Sequence, residues 1–216
     1  MNLGPAPGED EPTRLETDDE VAEETYLAIL DGCLEAMAGS GLRHAFIGGL
    51  ASQIYGRDRE TKDIDIFIAV ADAAAALERF AAAGFEVERT NPDWLFKATR
   101  ERVLVDVVFR SSDGRELDAE TRIELSDYKG RRVPILGPED LVLVKLPAFN
   151  EATPRHWWDC LAILEQARID WPYLARRAAP RPHRLLSLLD FARGEGLEVP
   201  ESALAALRKA ALSSAA

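Results

Sequence analysis

Two aspartates on a short apolar segment are the first residues whose types and spacing suggest chemistry. In KDIDIFIAV, residues 62–70, isoleucines alternate with Asp63 and Asp65. Successive side chains of a strand point to opposite faces, so the isoleucines would face one side and both carboxylates the other. Mg²⁺ typically binds one or two carboxylates together with water and substrate phosphate oxygens. The pair therefore predicts a magnesium site, with a pair of solvent-facing acids as the alternative.

Asp106 is the only polar residue in the apolar run VLVDVVF, residues 103–109. A buried carboxylate is costly unless it is neutralised, hydrogen-bonded or metal-bound. If this strand lies beside the strand of Asp63 and Asp65, three carboxylates converge at one place. Such a cluster suits two metal ions about 4 Å apart that hold the reacting oxygens of a phosphoryl transfer. The alternative is a carboxylate paired with a core arginine.

A glycine pair, Gly48-Gly49, lies between a predicted strand and a predicted helix. Glycine lets backbone N–H groups approach a phosphate closely, and the N-terminus of a helix favours negative charge. Ser52 is close enough in sequence to add a hydroxyl. Fourteen residues separate Gly49 from Asp63, a spacing that lets the turn and the acids face one triphosphate.

These segments resemble the nucleotidyltransferase superfamily that includes DNA polymerase beta. The resemblance rests on FIGGLA, YGR and RETKDIDI, in which a Gly-Gly turn precedes an Asp-hydrophobic-Asp strand. The form Arg-x-Thr-x-Asp-Ile-Asp, which begins at Arg59, is similar to the minimal nucleotidyltransferases grouped with AbiEii-type toxins of type IV toxin-antitoxin systems. PEDLVLVK, ending at Lys145, and RHWWD, ending at Asp159, extend the resemblance. It covers residues 44–163 with gaps.

The resemblance implies a role for each matched residue. The nucleotide-binding set is Gly48, Gly49, Ser52, Arg59 and Lys145. The magnesium-binding set, for two ions, is Asp63, Asp65 and Asp106. The catalytic set is Asp63, Asp65, Asp106, Lys145 and Asp159. Lys145 would neutralise phosphate charge, Asp159 would orient Lys145 or the nucleotide, and Asp106 would be a metal ligand or a general base.

The position of Lys145 in the sequence also bears on its environment, independently of the family. It follows Leu141-Val142-Leu143-Val144 on a largely apolar helix. A charged amine in such a position needs a partner or must extend to water. The residues alone leave both alternatives open.

The predicted fold class is α/β (α+β), a nucleotidyltransferase fold with a small mixed sheet flanked by helices and a helical C-terminal part. The predicted organisation is a flexible acidic leader (1–16), the core (17–136), and the helical part (137–216), which contributes to the active site. The first helix is expected to begin at Thr17, as N-cap. Residues 119–125 and 129–135 are expected to form a peripheral hairpin.

A basic stretch near the C-terminal end is a further candidate site. Five arginines lie between residues 168 and 184, interleaved with Trp171 and Tyr173. This composition could grip a nucleic-acid backbone and stack a base. We favour the alternative, in which the arginines decorate outer helix faces and the aromatic rings pack inward. Trp157 and Trp158 are likewise expected in the core.

Composition limits the class of protein to which this sequence can belong. The 216 residues are 47% hydrophobic and 30% charged, as in soluble globular proteins. Residues 1–24 hold nine acids and one arginine, which accounts for most of the net charge of −12 and leaves room for a local basic patch. Two cysteines without zinc spacing, no signal peptide and no apolar run of membrane length predict a cytoplasmic protein without a membrane partner.

The predicted function is a magnesium-dependent nucleotidyltransferase that moves a nucleoside monophosphate from an NTP to an acceptor hydroxyl and releases pyrophosphate. The resemblance suggests a toxin of a type IV system that acts on tRNA or protein and has an antitoxin as partner. One alternative is a transferase that modifies aminoglycoside or lincosamide antibiotics. The other is a non-catalytic relative that binds a nucleotide or a partner.

Overall fold

The computed structural model describes residues 21–57 and 59–213, and these residues form one mixed sheet flanked by helices. The strands are β1 (His44–Phe46), β2 (Ile64–Ile68), β3 (Glu86–Asn91), β4 (Leu95–Arg100), β5 (Val103–Val108), β6 (Ile123–Tyr128) and β7 (Arg131–Leu136). The helices are α1 (Glu23–Met37), α2 (Gly48–Ile54), α3 (Ala73–Ala82), α4 (Pro138–Lys145), α5 (Arg155–Gln166), α6 (Trp171–Ala178), α7 (His183–Gly194) and α8 (Glu201–Ser213). The predicted fold class is confirmed.

The sheet has the strand order β3-β4-β5-β2-β1-β7-β6. Strands β2 and β5 run parallel, as do β1 and β7, and the other neighbours are antiparallel. Asp65 of β2 is the register partner of Asp106 of β5. The condition set for Asp106, that its strand lies beside the strand of Asp65, is therefore met.

The apolar pattern of the strands fixes which face carries these acids. Ile64, Ile66 and Ile68 are fully buried, and β5 alternates between buried and half-buried positions, with Asp106 half-buried. Each buried isoleucine stabilises the fold by about 1.5–3 kcal/mol, and a slip of one residue would turn the whole set to the other face. Burial of the isoleucines therefore holds Asp65 and Asp106 on the opposite, half-buried face of the sheet.

The first helix and the hairpin differ from their predicted positions. Helix α1 begins at Glu23 after Ala22, while Thr17 and the predicted leader 1–16 lie outside the described residues. The hairpin turns at Lys129-Gly130, where both residues have positive φ, as a two-residue turn between twisted strands requires. Because β7 pairs with β1, only one strand of the hairpin, β6, lies at an edge of the sheet, and the hairpin is less peripheral than expected.

The described part of the segment after β7 contains helices joined by loops and has no strand. Helix α4 packs against α5 and α6. Helix α4 begins with Pro138 at its first position, where the missing N–H of proline costs nothing. The contact between α4 and α5 places Lys145 beside Asp159. None of the described helices is long and apolar enough to cross a membrane.

The basic stretch mostly forms ion pairs within the protein. Arg176 pairs with Glu120, Arg177 with Asp118 and Asp140, and Arg181 with Asp113. Tyr173 is buried, as expected. The expectation for Trp158 is wrong, because 52% of this residue is exposed. Adjacent helical residues point about 100° apart, and Trp157 lies on the side of α5 that packs against the core while Trp158 lies on the exposed side.

Candidate active site

The backbone at Gly48, where β1 leads into α2, is called the Gly48 turn, and it lies directly against the carboxylate of Asp65. Gly48 has φ +63°, and a Cβ atom built on it would lie 1.7 Å from Asp65 Oδ2. A larger residue would therefore collide with the carboxylate as well as adopt an unfavourable backbone conformation. Glycine at this position keeps backbone and acid in close contact.

Gly49 is equally restricted. A Cβ atom on Gly49 would lie 2.4 Å from Thr61 Oγ1, and that hydroxyl donates to the carbonyl of Asp63 at 3.1 Å. The turn after β1 and the loop before β2 are thus packed side to side. Gln53 strengthens this contact by donating to the carbonyl of Arg59 at 2.6 Å.

Asp65 and Asp106 are an unusually placed pair of carboxylates. They are direct neighbours on parallel strands, and Oδ1 of Asp106 is buried without a hydrogen-bond partner among the described residues. Burial raises the pKa of Asp106 to about 7, and Asp65 adds to this shift while Lys97 opposes it. Burial also raises the pKa of Asp65, an effect that Lys145 opposes. Both groups therefore favour a cation that would stabilise their charged forms.

The donor set fits magnesium. No group of three or more His, Cys, Asp or Glu side chains in the described part of the chain is already placed to hold a metal ion. A closed cage made only of protein ligands is thus not present. Magnesium usually needs only one or two carboxylates, since water and substrate phosphates complete its shell. Asp65 and Asp106 could supply such a partial site, since Oδ1 of Asp106 has no hydrogen-bond partner among the described residues. Asp63 lies two residues before Asp65, directly before β2.

A second cluster gathers positive charge around Asp159. This carboxylate is fully buried and accepts from Lys145 Nζ at 2.9 Å, Arg59 Nη2 at 3.0 Å and Nε at 3.2 Å, and Arg57 Nε at 3.2 Å. Although burial alone would raise the pKa of Asp159, hydrogen bonds and charges from Arg59 and Lys145 lower it to about 2. Three cations thus share one carboxylate, which leaves the cluster with an excess of positive charge.

Lys145 connects the two clusters. Its side chain is only 3% exposed, so the amine does not extend to water and has the buried partner that sequence reasoning left open. It also lowers the pKa of Asp65, which burial raises. The amine is therefore held by Asp159 within electrostatic reach of the carboxylate at the glycine turn.

The side chain of Ser52 forms a hydrogen bond within the Gly48 turn. Its hydroxyl is fully buried and donates to the carbonyl of Gly48 at 2.8 Å. In this position it stabilises the start of α2, and the phosphate contact expected from the resemblance stays a prediction.

Sequence reasoning missed three residues near the cation cluster. They are Arg57, Arg155 and His156, and Arg57 forms an ion pair with Asp159. Burial is the main cause that lowers the pKa of His156 to about 4, and the charges of Lys145 and Arg155 lower it further. The Nδ1 atom of His156 is buried and has no hydrogen-bond partner among the described residues. The only signal in the sequence was the position of Arg57 and Arg155 inside the matched motifs.

Comparisons with known proteins identify the family and support the fold. The sequence matches a family described as "Uncharacterised nucleotidyltransferase" over residues 16–189, and no curated protein matches it. The solution structure of the antibiotic-resistance factor ANT(2'')-Ia aligns with a TM-score of 0.56 and 16% identity, covering 80% of this chain and 100% of that chain.

Two further structures are similar. The crystal structure of ANT(2'')-Ia in complex with adenylyl-2''-tobramycin has a TM-score of 0.53 and 17% identity, with 80% of this chain and 99% of that chain covered. The lincomycin-bound lincosamide adenylyltransferase LnuA has a TM-score of 0.49 and 17% identity, with 69% and 100% covered. At such identities the first two alignments support the fold. Because the family match spans most of the sequence, this chain belongs to that nucleotidyltransferase family.

Proposed function

We propose that this protein transfers a nucleoside monophosphate from an NTP to an acceptor hydroxyl, with magnesium as the required metal. The observation that carries the proposal is the pairing of Asp65 with Asp106 directly opposite the Gly48 turn. As metal ligands, these carboxylates would hold the ion beside the glycine backbone at the start of α2. Magnesium at Asp63, Asp65 and Asp106 would neutralise phosphate charge.

The reaction needs little covalent chemistry from the protein. An acceptor oxygen forms a bond to the α-phosphorus, the bond between that phosphorus and the bridging oxygen to the β-phosphate breaks, and pyrophosphate leaves with the electron pair. Catalysis of such a step consists mainly of positioning and charge stabilisation. The cluster of Lys145, Arg57 and Arg59, with its excess positive charge, suits the triphosphate.

The proton of the acceptor hydroxyl must leave as the new bond forms. A carboxyl group with a pKa near the working pH is an effective general base, and burial raises the pKa of Asp106 to about 7. Asp106 therefore has two candidate roles, as metal ligand and as base. We assign its Oδ1 atom, which has no partner within the described part of the protein, to one of these roles.

For the acceptor, we propose tRNA or a protein hydroxyl, as in the AbiEii-type toxins that the Arg59-x-Thr-x-Asp-Ile-Asp motif resembles, with an antitoxin as partner. The motif supports this assignment, together with Arg59 itself, which the structure joins to Asp159. An antibiotic acceptor is the second candidate, since two structural alignments with a TM-score above 0.5 are to the antibiotic-resistance factor ANT(2'')-Ia, one of them in complex with adenylyl-2''-tobramycin.

The experiment is incubation with each α-³²P-labelled NTP and Mg²⁺ against total tRNA, the protein itself, tobramycin and lincomycin. Label on tRNA or protein supports the toxin-like assignment, and label on a drug replaces it. Asp65→Asn is expected to abolish transfer, with Asp31→Asn as the control because Asp31 pairs with Arg131 on the surface. NTP binding without any transfer in the wild type would show a non-catalytic relative.

A further inference from the structure

Four aromatic rings form a connected group at the start of α5. Phe149 contacts Trp157 with ring centroids 5.3 Å apart, Trp157 contacts Phe191 at 5.7 Å, and Phe191 contacts Trp158 at 6.2 Å. At the outer end of this group, Trp158 is 52% exposed and Phe191 38% exposed. Large aromatic rings are usually buried more completely, so the fold holds a rigid ring pair open to solvent.

This ring pair borders the candidate active site. Trp158 precedes Asp159, whose carboxylate binds Lys145 Nζ at 2.9 Å. Trp158 also lies one helical turn after Arg155, and residues three apart on a helix are surface neighbours. Arg155 also lies four residues, about one helical turn, before Asp159 in α5, so it neighbours both residues on the helix surface. The rings thus lie at the rim of the cation cluster.

We propose that the exposed ring of Trp158, braced by Phe191, is the platform on which the base of the NTP stacks. The proposal rests on the proposed function, because it takes the triphosphate to lie between the Gly48 turn and Lys145. From there the ribose would pass Arg155 on the first turn of α5, and the base would reach Trp158 about 4.5 Å further along the helix axis.

The chemistry of the platform matches a nucleobase. Every base has a flat π-face, and stacking on an aromatic side chain is tolerant of base identity. Trp158 is held by an edge contact, with its plane at 79° to that of Phe191, so the ring is oriented before a ligand arrives.

The test compares ATP with tripolyphosphate, which has the phosphates but no base. We would measure the dissociation constants of both by calorimetry, in the presence of Mg²⁺, for the wild type, Trp158→Ala, Trp158→Phe and Trp94→Ala. Trp94 is the matched control, since it is a tryptophan of similar exposure, 43%, in the turn between β3 and β4. Thermal unfolding of each variant establishes that the fold is retained.

Trp158→Ala is expected to weaken ATP binding about tenfold and to leave tripolyphosphate binding unchanged. Trp158→Phe should retain most of the affinity, and Trp94→Ala all of it. Equal ATP affinity for Trp158→Ala and the wild type overturns the proposal. So does an equal loss for ATP and tripolyphosphate, which would place the effect in the phosphate site. If the wild type binds neither ligand, the proposed function itself fails.

Discussion

At Asp159 a single carboxylate holds together residues from three segments of the chain. It binds Arg57 and Arg59 from the loop before β2, and Lys145 from α4. Because Asp159 and Lys145 are both almost fully buried, neither charge can be satisfied by water when the other is removed. The residue therefore serves stability as well as the placement of Lys145.

Asp159→Asn is expected to lower the free energy of unfolding by about 3 kcal/mol, because it leaves Lys145 buried without a counter-charge. The measurement is urea denaturation at pH 7. Asp31→Asn is the matched control, since its ion pair with Arg131 is partly exposed and should contribute less than about 1 kcal/mol. Equal losses for the two variants would contradict the account.

His156 predicts a pH dependence of stability in a defined window. Burial lowers its pKa from the ordinary 6.5 to about 4. Between these values the unfolded chain takes up a proton that the folded protein does not, so the contribution of His156 to stability falls as the pH falls from 6.5 to 4. The lowered pKa of Asp159, about 2, acts only below this window, where acid removes its stabilising charge.

Urea denaturation of the wild type and His156→Gln from pH 7.5 to 4 checks this expectation. The wild type should lose about 2 kcal/mol relative to the variant across the window, less than the full linkage value because the imidazole is partly exposed. Parallel stability curves for the two proteins would show that His156 is not held neutral.

Among the elements, the turn from β1 into α2 imposes the strictest steric requirement. Gly48 and Gly39 have nearly the same backbone conformation, φ +63° and +61°. They differ in their surroundings, because a Cβ atom at Gly48 would meet Asp65 Oδ2 at 1.7 Å, whereas one at Gly39 meets nothing within 4 Å. The pair therefore separates backbone strain from collision with the site.

Gly39→Ala should cost about 1 kcal/mol of stability through backbone strain alone. Gly48→Ala should cost about 3 kcal/mol or more, since Asp65 must also move, and it should lose nucleotidyl transfer. Denaturation and the transfer assay measure both effects. A Gly48→Ala protein that matches Gly39→Ala in stability and retains transfer would show that the turn does not touch the carboxylate.

The same elements show what the sequence could predict. Alternation of isoleucine and aspartate gives β2 its face, and the valines do the same for β5, because burial follows a period of two. The pairing of Asp65 with Asp106 was expected only on the condition that the strands are neighbours, since no local pattern sets strand order. Arg57 carried no signal of its own, because a charged loop residue resembles any solvated one.

At the scale of the whole molecule, the candidate site is formed jointly by the sheet and by the helices that follow it. Strand order places the parts of the site in sequence across the sheet, with the Gly48 turn after β1, Asp65 on β2 and Asp106 on β5. The helices after β7 add Lys145 and Asp159 from the other side. The predicted boundary at residue 137 thus separates segments that a single active site would need together.

The most direct test of this account is which phosphorus moves. A single-turnover reaction with Mg²⁺ and an accepted substrate is run once with α-labelled and once with γ-labelled NTP. We expect the α-label on the acceptor and the γ-label in pyrophosphate, with both lost in Lys145→Ala although that protein remains folded. Appearance of the γ-label on the acceptor, or full transfer by Lys145→Ala, would contradict the account.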